Sequence, residues 1–361
     1  MKNTFGNSVA ITIFGESHGK AIGAIIDGLA PGIDVDNDFI ASQLSKRRPN
    51  GATDTARQEA DKFEILSGVF NGKTTGTPIA IVIPNEDTRS KDYSKMKSLP
   101  RPSHADFSAY CKYHGYEDYR GGGHFSGRIT AAIVAAGAIA LRALENKGIK
   151  IGTHILKCAG VCDAKFNDFE NEINSLREKA FPVISDIEGE MTEKILEAKM
   201  DKDSVGGILE TAIIGMPAGV GEPIFDSIES VLSHALFSIG GIKGIEFGSG
   251  FDMADMRGSE ANDAFISSNG KISTKTNHNG GINGGITNSM PITFNCVIKP
   301  TPSIAKEQET VNLETGKNEK LVIEGRHDPA IVRRVSVVIE SICALTMCDI
   351  LASRFGTDYL A

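Results

Sequence analysis

The sequence lacks the residue patterns of several common site types. Its six cysteines are scattered, and the one close pair, Cys158 and Cys162, has no second Cys or His pair at zinc-finger spacing. No H-E-x-x-H segment and no EF-hand loop occurs either. We therefore expect buried thiols and no metal site.

Long apolar runs and excess positive charge are also missing. We find no apolar run near the roughly 18 residues that a membrane span needs, and residues 6–8 (GNS) interrupt any signal-peptide core after Met1. The formal net charge of -8 argues against a nucleic-acid surface. The 361 residues, 40% hydrophobic and 23% charged, are typical of a globular protein. We expect it in the cytoplasm, with no nucleic-acid or membrane partner.

A glycine loop is the most informative feature that is present. Residues 121–123 are glycines, and residues 124–128 (HFSGR) lead into an alanine-rich helical pattern that ends near Gly148. Backbone N–H groups of such a loop, together with the helix dipole, are suited to binding a phosphate. The glycine spacing matches neither the Rossmann nor the Walker pattern, and a plain glycine turn is the alternative.

A second glycine-rich loop, at residues 276–285, and a set of arginines outside the acidic stretch 161–203 indicate a small polyanionic ligand. The arginines are Arg47, Arg48, Arg101, Arg120, Arg128, Arg326, Arg333 and Arg334. Solvated surface arginines are the alternative interpretation.

Titratable residues occur in three segments bounded by glycine or proline. Residues 15–19 (GESHG) end a predicted strand and place His18 where acid–base chemistry is favoured. They do not match G-x-S-x-G, so acyl transfer is disfavoured. His104 lies in a proline-containing loop, and Asp328 either caps the last helix or acts on a ligand. The alternative for both histidines is a structural or surface role.

Predicted strands and helices repeat along the chain. Strands are predicted at 8–14, 21–27, 63–70 and 78–84, and helices at 36–46, 188–200 and 226–237, after Ser126, and after Asp328 with Pro329 at the first helical position. Residues 24–32 resemble 212–219, and residues 76–84 resemble 289–300.

This repeat predicts an α+β fold with an internal duplication. Two long helices pack together at the centre, and each half lays a mostly antiparallel sheet over them. We expect a single domain over residues 1–361, with halves at about 1–150 and 205–361 and an acidic connector or insertion at 161–203.

Eight segments, taken together from Phe14 to about Asp349, resemble the chorismate synthase family. They are G-E-S-H-G at 15–19, R-R-P at 47–49, D-x-R-S-x-D-Y at 87–93, R-P-x-H-A-D at 101–106, Y-R-G-G-G at 119–123, N-H-x-G-G-I-x-G-G-I at 277–286, K-P-T at 299–301 and R-H-D-P at 326–329. The likeness covers nearly the whole chain.

The resemblance implies a carbon–oxygen lyase acting on phosphates. Its reaction is the 1,4-anti elimination of phosphate from 5-enolpyruvylshikimate 3-phosphate to give chorismate, on the pathway to the aromatic amino acids. Reduced FMN is the implied cofactor although the reaction is redox-neutral overall, and NADPH has a role only as an indirect reductant. The implied architecture is a β/α/β sandwich assembled as a homotetramer.

The resemblance also implies roles for individual residues. His18 is the general acid near the departing phosphate, His104 protonates the reduced flavin, and Ser17 with Asp328 assists deprotonation. Substrate anions are assigned to Arg47, Arg48, Arg120 and Arg128. Flavin contacts are assigned to His124, Phe125, Ser126, Gly240, Gly241, Gly284, Lys299, Pro300, Thr301, Pro302, Ser303 and Arg326.

The chain departs from the family pattern at three places. His124-Phe125 stands where many members have R-S or R-A, and Gly240-Gly241 stands where others have N-A. Thr53 lies where relatives use an arginine for a phosphate, and Arg57 is the candidate substitute. Two other classes stay open from the residues: a flavin reductase using NADPH, which lacks a pyridine-nucleotide fingerprint here, and a non-catalytic nucleotide-binding module.

Overall fold

The computed structural model describes residues 2–49, 51, 53–54, 60–86, 97–323 and 327–361. The strands are β1 (Thr4–Phe5), β2 (Ala10–Gly15), β3 (Ala21–Asp27), β4 (Glu64–Ser67), β5 (Val69–Phe70), β6 (Lys73–Thr74), β7 (Ile79–Pro84), β8 (Lys150–Cys158), β9 (Val161–Cys162), β10 (Gly207–Ile214), β11 (Ile242–Phe247), β12 (Phe265–Ser268), β13 (Lys271–Thr274), β14 (Ile282–Asn283), β15 (Ile286–Thr287), β16 (Ile292–Ile298), β17 (Gln308–Val311) and β18 (Asn318–Leu321). The helices are α1 (Asn37–Arg47), α2 (Asp106–Tyr113), α3 (Thr130–Glu145), α4 (Phe169–Leu176), α5 (Glu188–Met200), α6 (Ile228–Leu236), α7 (Gly258–Ala261) and α8 (Val332–Phe355).

Two five-stranded antiparallel sheets enclose the long helices α3 and α8. The first sheet has the order β1-β2-β3-β7-β4, and the second has β11-β16-β10-β8-β9. Helix α3 packs on β3 and β7, whereas α8 packs on β8 and β10 and also against α3. The predicted α+β fold, a layered sandwich of mostly antiparallel sheets around central helices, is confirmed.

The two central helices are apolar because they are buried between the sheets. Among the described residues, Gly127–Glu145 and Val332–Phe355 are long and apolar enough to cross a membrane, so the expectation that no such run exists is wrong. The apolar windows of these helices are 83% and 89% buried inside the protein, respectively. Their composition therefore matches a position in the core, between two sheets.

The predicted start of the last helix is also wrong. Helix α8 begins at Val332 with Ile331 as its N-cap residue, so Asp328 does not cap it and Pro329 is not its first residue. The carbonyl of Pro329 instead accepts the Val205 N–H at 2.8 Å, just ahead of β10. This bond ties the segment to the second sheet and delays the helix by one turn.

The two sheets share a strand order. Strands β2-β3-β7-β4 are adjacent in the first sheet, and β8-β10-β16-β11 occupy the same relative places in the second. A glycine with positive φ ends β3 at Gly28 (87°) and β10 at Gly215 (84°). We propose that the two halves arose by duplication. The second half then starts at β8, because β8 takes the place in the second sheet that β2 takes in the first.

A buried ionic cluster fastens the acidic segment to the second sheet. His154 of β8 is fully buried, and its Nε2 donates to Glu210 of β10 at 2.8 Å. On its other side, Nδ1 lies 3.3 Å from Oδ2 of Asp163, which also accepts from the backbone of Ile184 and Ser185. Burial lowers the pKa of His154, but the bonds to Asp163 and Glu210 outweigh it and raise the pKa above 6.5.

We predict that Gly137→Ala destabilises the fold by about 1–3 kcal/mol through overpacking. Gly137 lies in α3, where an added Cβ would be 2.3 Å from Cβ of Ser341 in α8, so the helices would have to separate. Urea unfolding measures the effect. Gly189→Ala in α5 is the matched control, because no atom in the described part of the chain lies within 4 Å of its added Cβ. Equal stability of the two variants would contradict the close crossing.

The ionic cluster predicts a pH-dependent stability. Because the folded pKa of His154 is raised, its contribution is complete below the ordinary value of 6.5 and is lost as pH rises through the folded pKa. Urea unfolding of the wild type and His154→Gln at several pH values should show a stability difference that is largest at the acidic end. A difference that grows with pH would contradict a charged His154.

Candidate active site

The glycine loop forms a tight turn ahead of α3. Gly121, Gly122 and Gly123 all have positive φ (58°, 82° and 53°), in a turn that spans Arg120–Phe125. A second short turn, Gly127–Ile129, separates this loop from the first residue of α3. Its N-cap is Ser126, whose side chain accepts the Arg128 N–H. The glycines therefore precede the helix rather than opening directly into it.

The same loop brings the two candidate histidines together. A Cβ on Gly121 would lie 2.2 Å from Cε1 of His18, and a Cβ on Gly122 would lie 3.2 Å from Cε1 of His104. The carbonyl of Gly123 accepts the Ser17 N–H at 3.1 Å. Glycine is needed here because the imidazole rings occupy the space that other side chains would take.

Ser17 and His18 follow the end of β2 and are buried. Ser17 is 0% and His18 7% exposed. Among the described residues, the Ser17 hydroxyl has no hydrogen-bond partner, so it is not bonded to Asp328. Asp328 instead accepts from the guanidinium of Arg334. The chain thus buries a polar hydroxyl beside His18 that a ligand could satisfy.

His104 belongs to a four-residue polar cluster. Its Nδ1 lies 2.6 Å from Asp106, and Arg101 donates to both carboxylate oxygens of Asp106 and to the hydroxyl of Ser303. Burial raises the pKa of Asp106, but the bonds from Arg101 and His104 outweigh it and hold the pKa well below its usual range. Ser303, a predicted flavin contact, therefore lies near His104.

Other predicted flavin contacts adjoin this cluster. The Lys299 ammonium donates to the carbonyl of Ser103, and its backbone N–H donates to Gly241 at 2.9 Å. Burial and the nearby Lys243 lower the pKa of Lys299. The hydroxyl of Thr301 is buried without a partner among the described residues. Two neighbouring cations and an unsatisfied hydroxyl fit an anionic group such as a phosphate.

The four predicted substrate arginines differ in what they contact. Arg120 forms a two-bond pair with Asp118, and the buried Arg128 donates to Asp61, Asn85 and the Pro84 carbonyl. Arg48 donates to the Ala60 carbonyl and is partly exposed, whereas the buried Arg47 has Nη2 3.4 Å from the Arg128 carbonyl. Arg47 and Arg128 are both buried, and Arg47 contacts the backbone that follows the glycine loop.

Two further arginines support this end of α1. Arg333 donates to the carbonyls of Lys46 and Arg48, and Arg334 donates to the carbonyl of Arg47. These contacts join residues some 285 positions apart in the sequence. The sequence therefore displays the arginines but not the backbone groups that they bind. Arg333 and Arg334 hold the backbone that carries Arg47 and Arg48.

Several predicted flavin contacts lie outside the polar cluster around His104. Gly284 is exposed in the β14–β15 hairpin, whose Gly285 packs against Ser227 at the start of α6, so the second glycine loop stays with the second half. Gly240 is exposed, as is Pro300. The imidazole of His124 donates to the Gly15 carbonyl at 2.8 Å, and Phe125 packs edge-on against Tyr113.

Arg326, a predicted flavin contact, lies outside the described residues, as do Arg57 and the segment 87–93. Thr53, the site of the missing arginine, is described and buried. Pro302, the remaining predicted flavin contact, is partly buried between Thr301 and Ser303.

A cavity of about 350 Å³ adjoins the glycine loop and was not foreseen from the sequence. Its aromatic lining comprises Phe14, Tyr110, Tyr113, Tyr116, Tyr119 and Phe125. The carboxylates of Glu16, Glu117 and Asp118 also face it, so it does not suit a polyanion. The Lys299 side of His104, with its neighbouring cation Lys243, is the better candidate for the predicted polyanion.

Comparison with known families and proteins is decisive. Residues 9–352 match the family model described as chorismate synthase. The chain belongs to the chorismate synthase family. The predicted resemblance is therefore confirmed, and so is the prediction of an enzyme of the carbon–oxygen lyase class.

Relatives from distant organisms align over almost their full length. A chorismate synthase of Lachnoclostridium phytofermentans is 47% identical over 364 residues, which cover 99% of this chain and 98% of the relative. One from Methanococcus maripaludis is 46% identical over 369 residues, covering 99% of each. A chorismate synthase crystal structure matches with a TM-score of 0.75 at 28% identity, covering 98% of this chain and 94% of the other.

We predict that Gly121→Ala costs about 2–4 kcal/mol of stability, because a left-handed φ and a close contact with His18 add together. Urea unfolding measures this cost, and the ring resonances of His18 in ¹⁵N NMR should move. Gly127→Ala, in the next turn, is the control, since no atom of the described residues lies within 4 Å of its added Cβ. Unchanged His18 resonances in Gly121→Ala would contradict the packing of this ring on the loop.

Proposed function

We propose that the protein converts 5-enolpyruvylshikimate 3-phosphate to chorismate by 1,4-anti elimination of phosphate, with reduced FMN as cofactor and no net redox change. The observation that carries the proposal is the placement of His18 and His104 against neighbouring glycines of one loop, in a chain of the chorismate synthase family. The elimination needs a proton delivered at the departing phosphate, and the reduced flavin needs a proton donor of its own. Two histidines at one loop are suited to these two tasks.

Arg47 is the best-supported ligand for a substrate anion. It is 5% exposed, reaches the backbone that follows the glycine loop, and comes from the last turn of α1. The substrate carries one phosphate and two carboxylates, and guanidinium groups bind such groups through paired hydrogen bonds. Arg48, the C-cap residue of α1, is the second candidate; it is partly exposed, and its Nε lies 3.8 Å from Asp61. Arg120 and Arg128 already pair with the carboxylates of Asp118 and Asp61, so we assign them a role in holding the loop rather than the substrate.

His18 is proposed as the general acid for the departing phosphate. Its ring packs against Gly121 and is almost fully buried. Bulk water therefore does not compete with it as the proton donor. The hydroxyl of Ser17 lies within the same turn and is unsatisfied, so it is available to a substrate or cofactor atom. Both residues are held by the bond from the Ser17 N–H to Gly123.

The residues around His104 fit a flavin mononucleotide. Lys299, with Lys243 nearby, suits its phosphate, while Thr301 and Ser303 offer hydroxyls. When bound, reduced FMN supplies electron density that assists cleavage of the carbon–oxygen bond. His104 is proposed to hold and deliver a proton at the flavin, and Arg101 orients the loop that carries it.

We further propose a cytoplasmic homotetramer, as the family resemblance implies. Large apolar side chains are exposed in the second half of the chain and are suited to contact other subunits. They include Ile224, Phe225, Phe251, Phe265 and Ile272, each more than two-thirds exposed or close to it.

An anaerobic assay with reduced FMN tests the function. The wild type should form chorismate, seen by its absorbance, together with free phosphate. His18→Gln and His104→Gln should each lower kcat by about 10²- to 10⁴-fold because each removes an acid–base group. His234→Gln is the control, since His234 is exposed on α6 and packs only edge-on against Phe5 among the ring contacts described.

Two outcomes would count against the proposal. No chorismate from the wild type would sink the function itself. Full activity of both His18→Gln and His104→Gln would leave the family assignment intact but remove the proposed roles of the histidines.

A further inference from the structure

Asp106, the first residue of α2, uses both carboxylate oxygens for neighbours of His104. Oδ2 accepts from the backbone N–H and the Nε of Arg101 at 3.0 and 2.8 Å. Oδ1 accepts from Nη2 of Arg101 at 2.8 Å and lies 2.6 Å from Nδ1 of His104. With four contacts on two oxygens, the carboxylate has a single orientation.

The 2.6 Å separation decides which ring nitrogen of His104 carries the proton. Without a proton between them, Nδ1 and Oδ1 would bring two lone pairs together, which is strongly repulsive. Nη2 of Arg101 also lies 3.0 Å from Nδ1, but a bond from its second hydrogen would require an unprotonated Nδ1 and would leave the lone pairs of Nδ1 and Oδ1 facing each other at 2.6 Å. The bond is therefore Nδ1–H donating to the carboxylate, and Nε2 is left without that proton.

The other edge of the ring faces the glycine loop. A Cβ on Gly122 would lie 3.2 Å from Cε1 and 3.5 Å from Nε2 of His104, so this edge is directed at the space above the loop. The side with Nδ1 is turned to Asp106 and Arg101. The ring thus has one structural nitrogen and one nitrogen that faces the candidate site.

We propose that Asp106 is a positioning residue that holds His104 in the Nδ1–H tautomer, so that Nε2 is the atom that exchanges a proton in the reaction. This inference rests on the proposed function for its catalytic consequence, but the tautomer itself does not. Arg101 completes the arrangement because its bonds keep Asp106 ionised against the effect of burial. A carboxylate that orients a histidine tautomer is a general device of acid–base sites.

Nitrogen NMR of the protein without substrate or flavin tests the tautomer directly. Protein labelled with ¹⁵N-histidine is measured above pH 8, and the His104 signals are assigned by their loss in His104→Gln. The wild type should show a protonated Nδ1 and an unprotonated Nε2. Asp106→Asn should reverse this, because Arg101 retains the amide oxygen and the amide NH₂ then donates to Nδ1.

Asp118→Asn is the matched control. Asp118 makes the same two-bond pair with an arginine, Arg120, but contacts no histidine ring by a described hydrogen bond. It should leave His104 in the Nδ1–H tautomer. In the anaerobic assay, Asp106→Asn should lower kcat by about 10²- to 10⁴-fold with little change in KM, as expected for a misplaced proton.

The outcomes separate this inference from the proposed function. An Nε2–H tautomer in the wild type overturns the inference even if Asp106→Asn fails to fold. A folded Asp106→Asn that keeps the Nδ1–H tautomer, or full kcat, also overturns it. Failure of the wild type to form chorismate, with the expected tautomers observed, counts against the function and leaves the positioning of His104 standing.

Discussion

The close approach of three glycines to two histidines is the constraint on which the candidate site depends. Gly121 lies against His18, Gly122 against His104, and Gly123 accepts the Ser17 N–H. Glycine is favoured at all three positions, since φ is positive at each and an added Cβ would meet an imidazole at Gly121 and Gly122 and the Asp118 carbonyl oxygen at Gly123. The loop therefore positions the two histidines proposed for acid–base chemistry, and any anion it binds must share that space.

Around this loop the fold supplies rigidity from distant parts of the chain. Helix α3 follows the loop. Helix α8 packs against α3 at Gly137 and Ser341, with no room for an added methyl group. From the start of α8, Arg333 and Arg334 bond to the backbone at Arg47 and Arg48. The first sheet carries His18 and the second carries Lys299, so the site lies where the two halves meet.

Local pattern was enough for many elements. The strand predicted at 21–27 and the helix predicted at 188–200 match β3 and α5, because the local spacing of apolar residues is enough to indicate them. The start of α8 was missed, since a bond from Val205 to the Pro329 carbonyl overrides a good local N-cap signal. The structure packs His18 and His104, both predicted catalytic residues, against one loop, whereas Gly284, a predicted flavin contact, lies in the β14–β15 hairpin of the second half.

By itself the sequence determined the family, the α+β class and the residue types of the site, because these depend on motifs and on periodicity that a linear chain displays. Only the tertiary structure decided which groups share a space. It directed Arg120 and Arg128 to protein carboxylates, turned His124 to the Gly15 carbonyl, and set Asp106 against Nδ1 of His104. Such pairings depend on distances between segments far apart in sequence, and those distances exist only after the sheets close on the central helices.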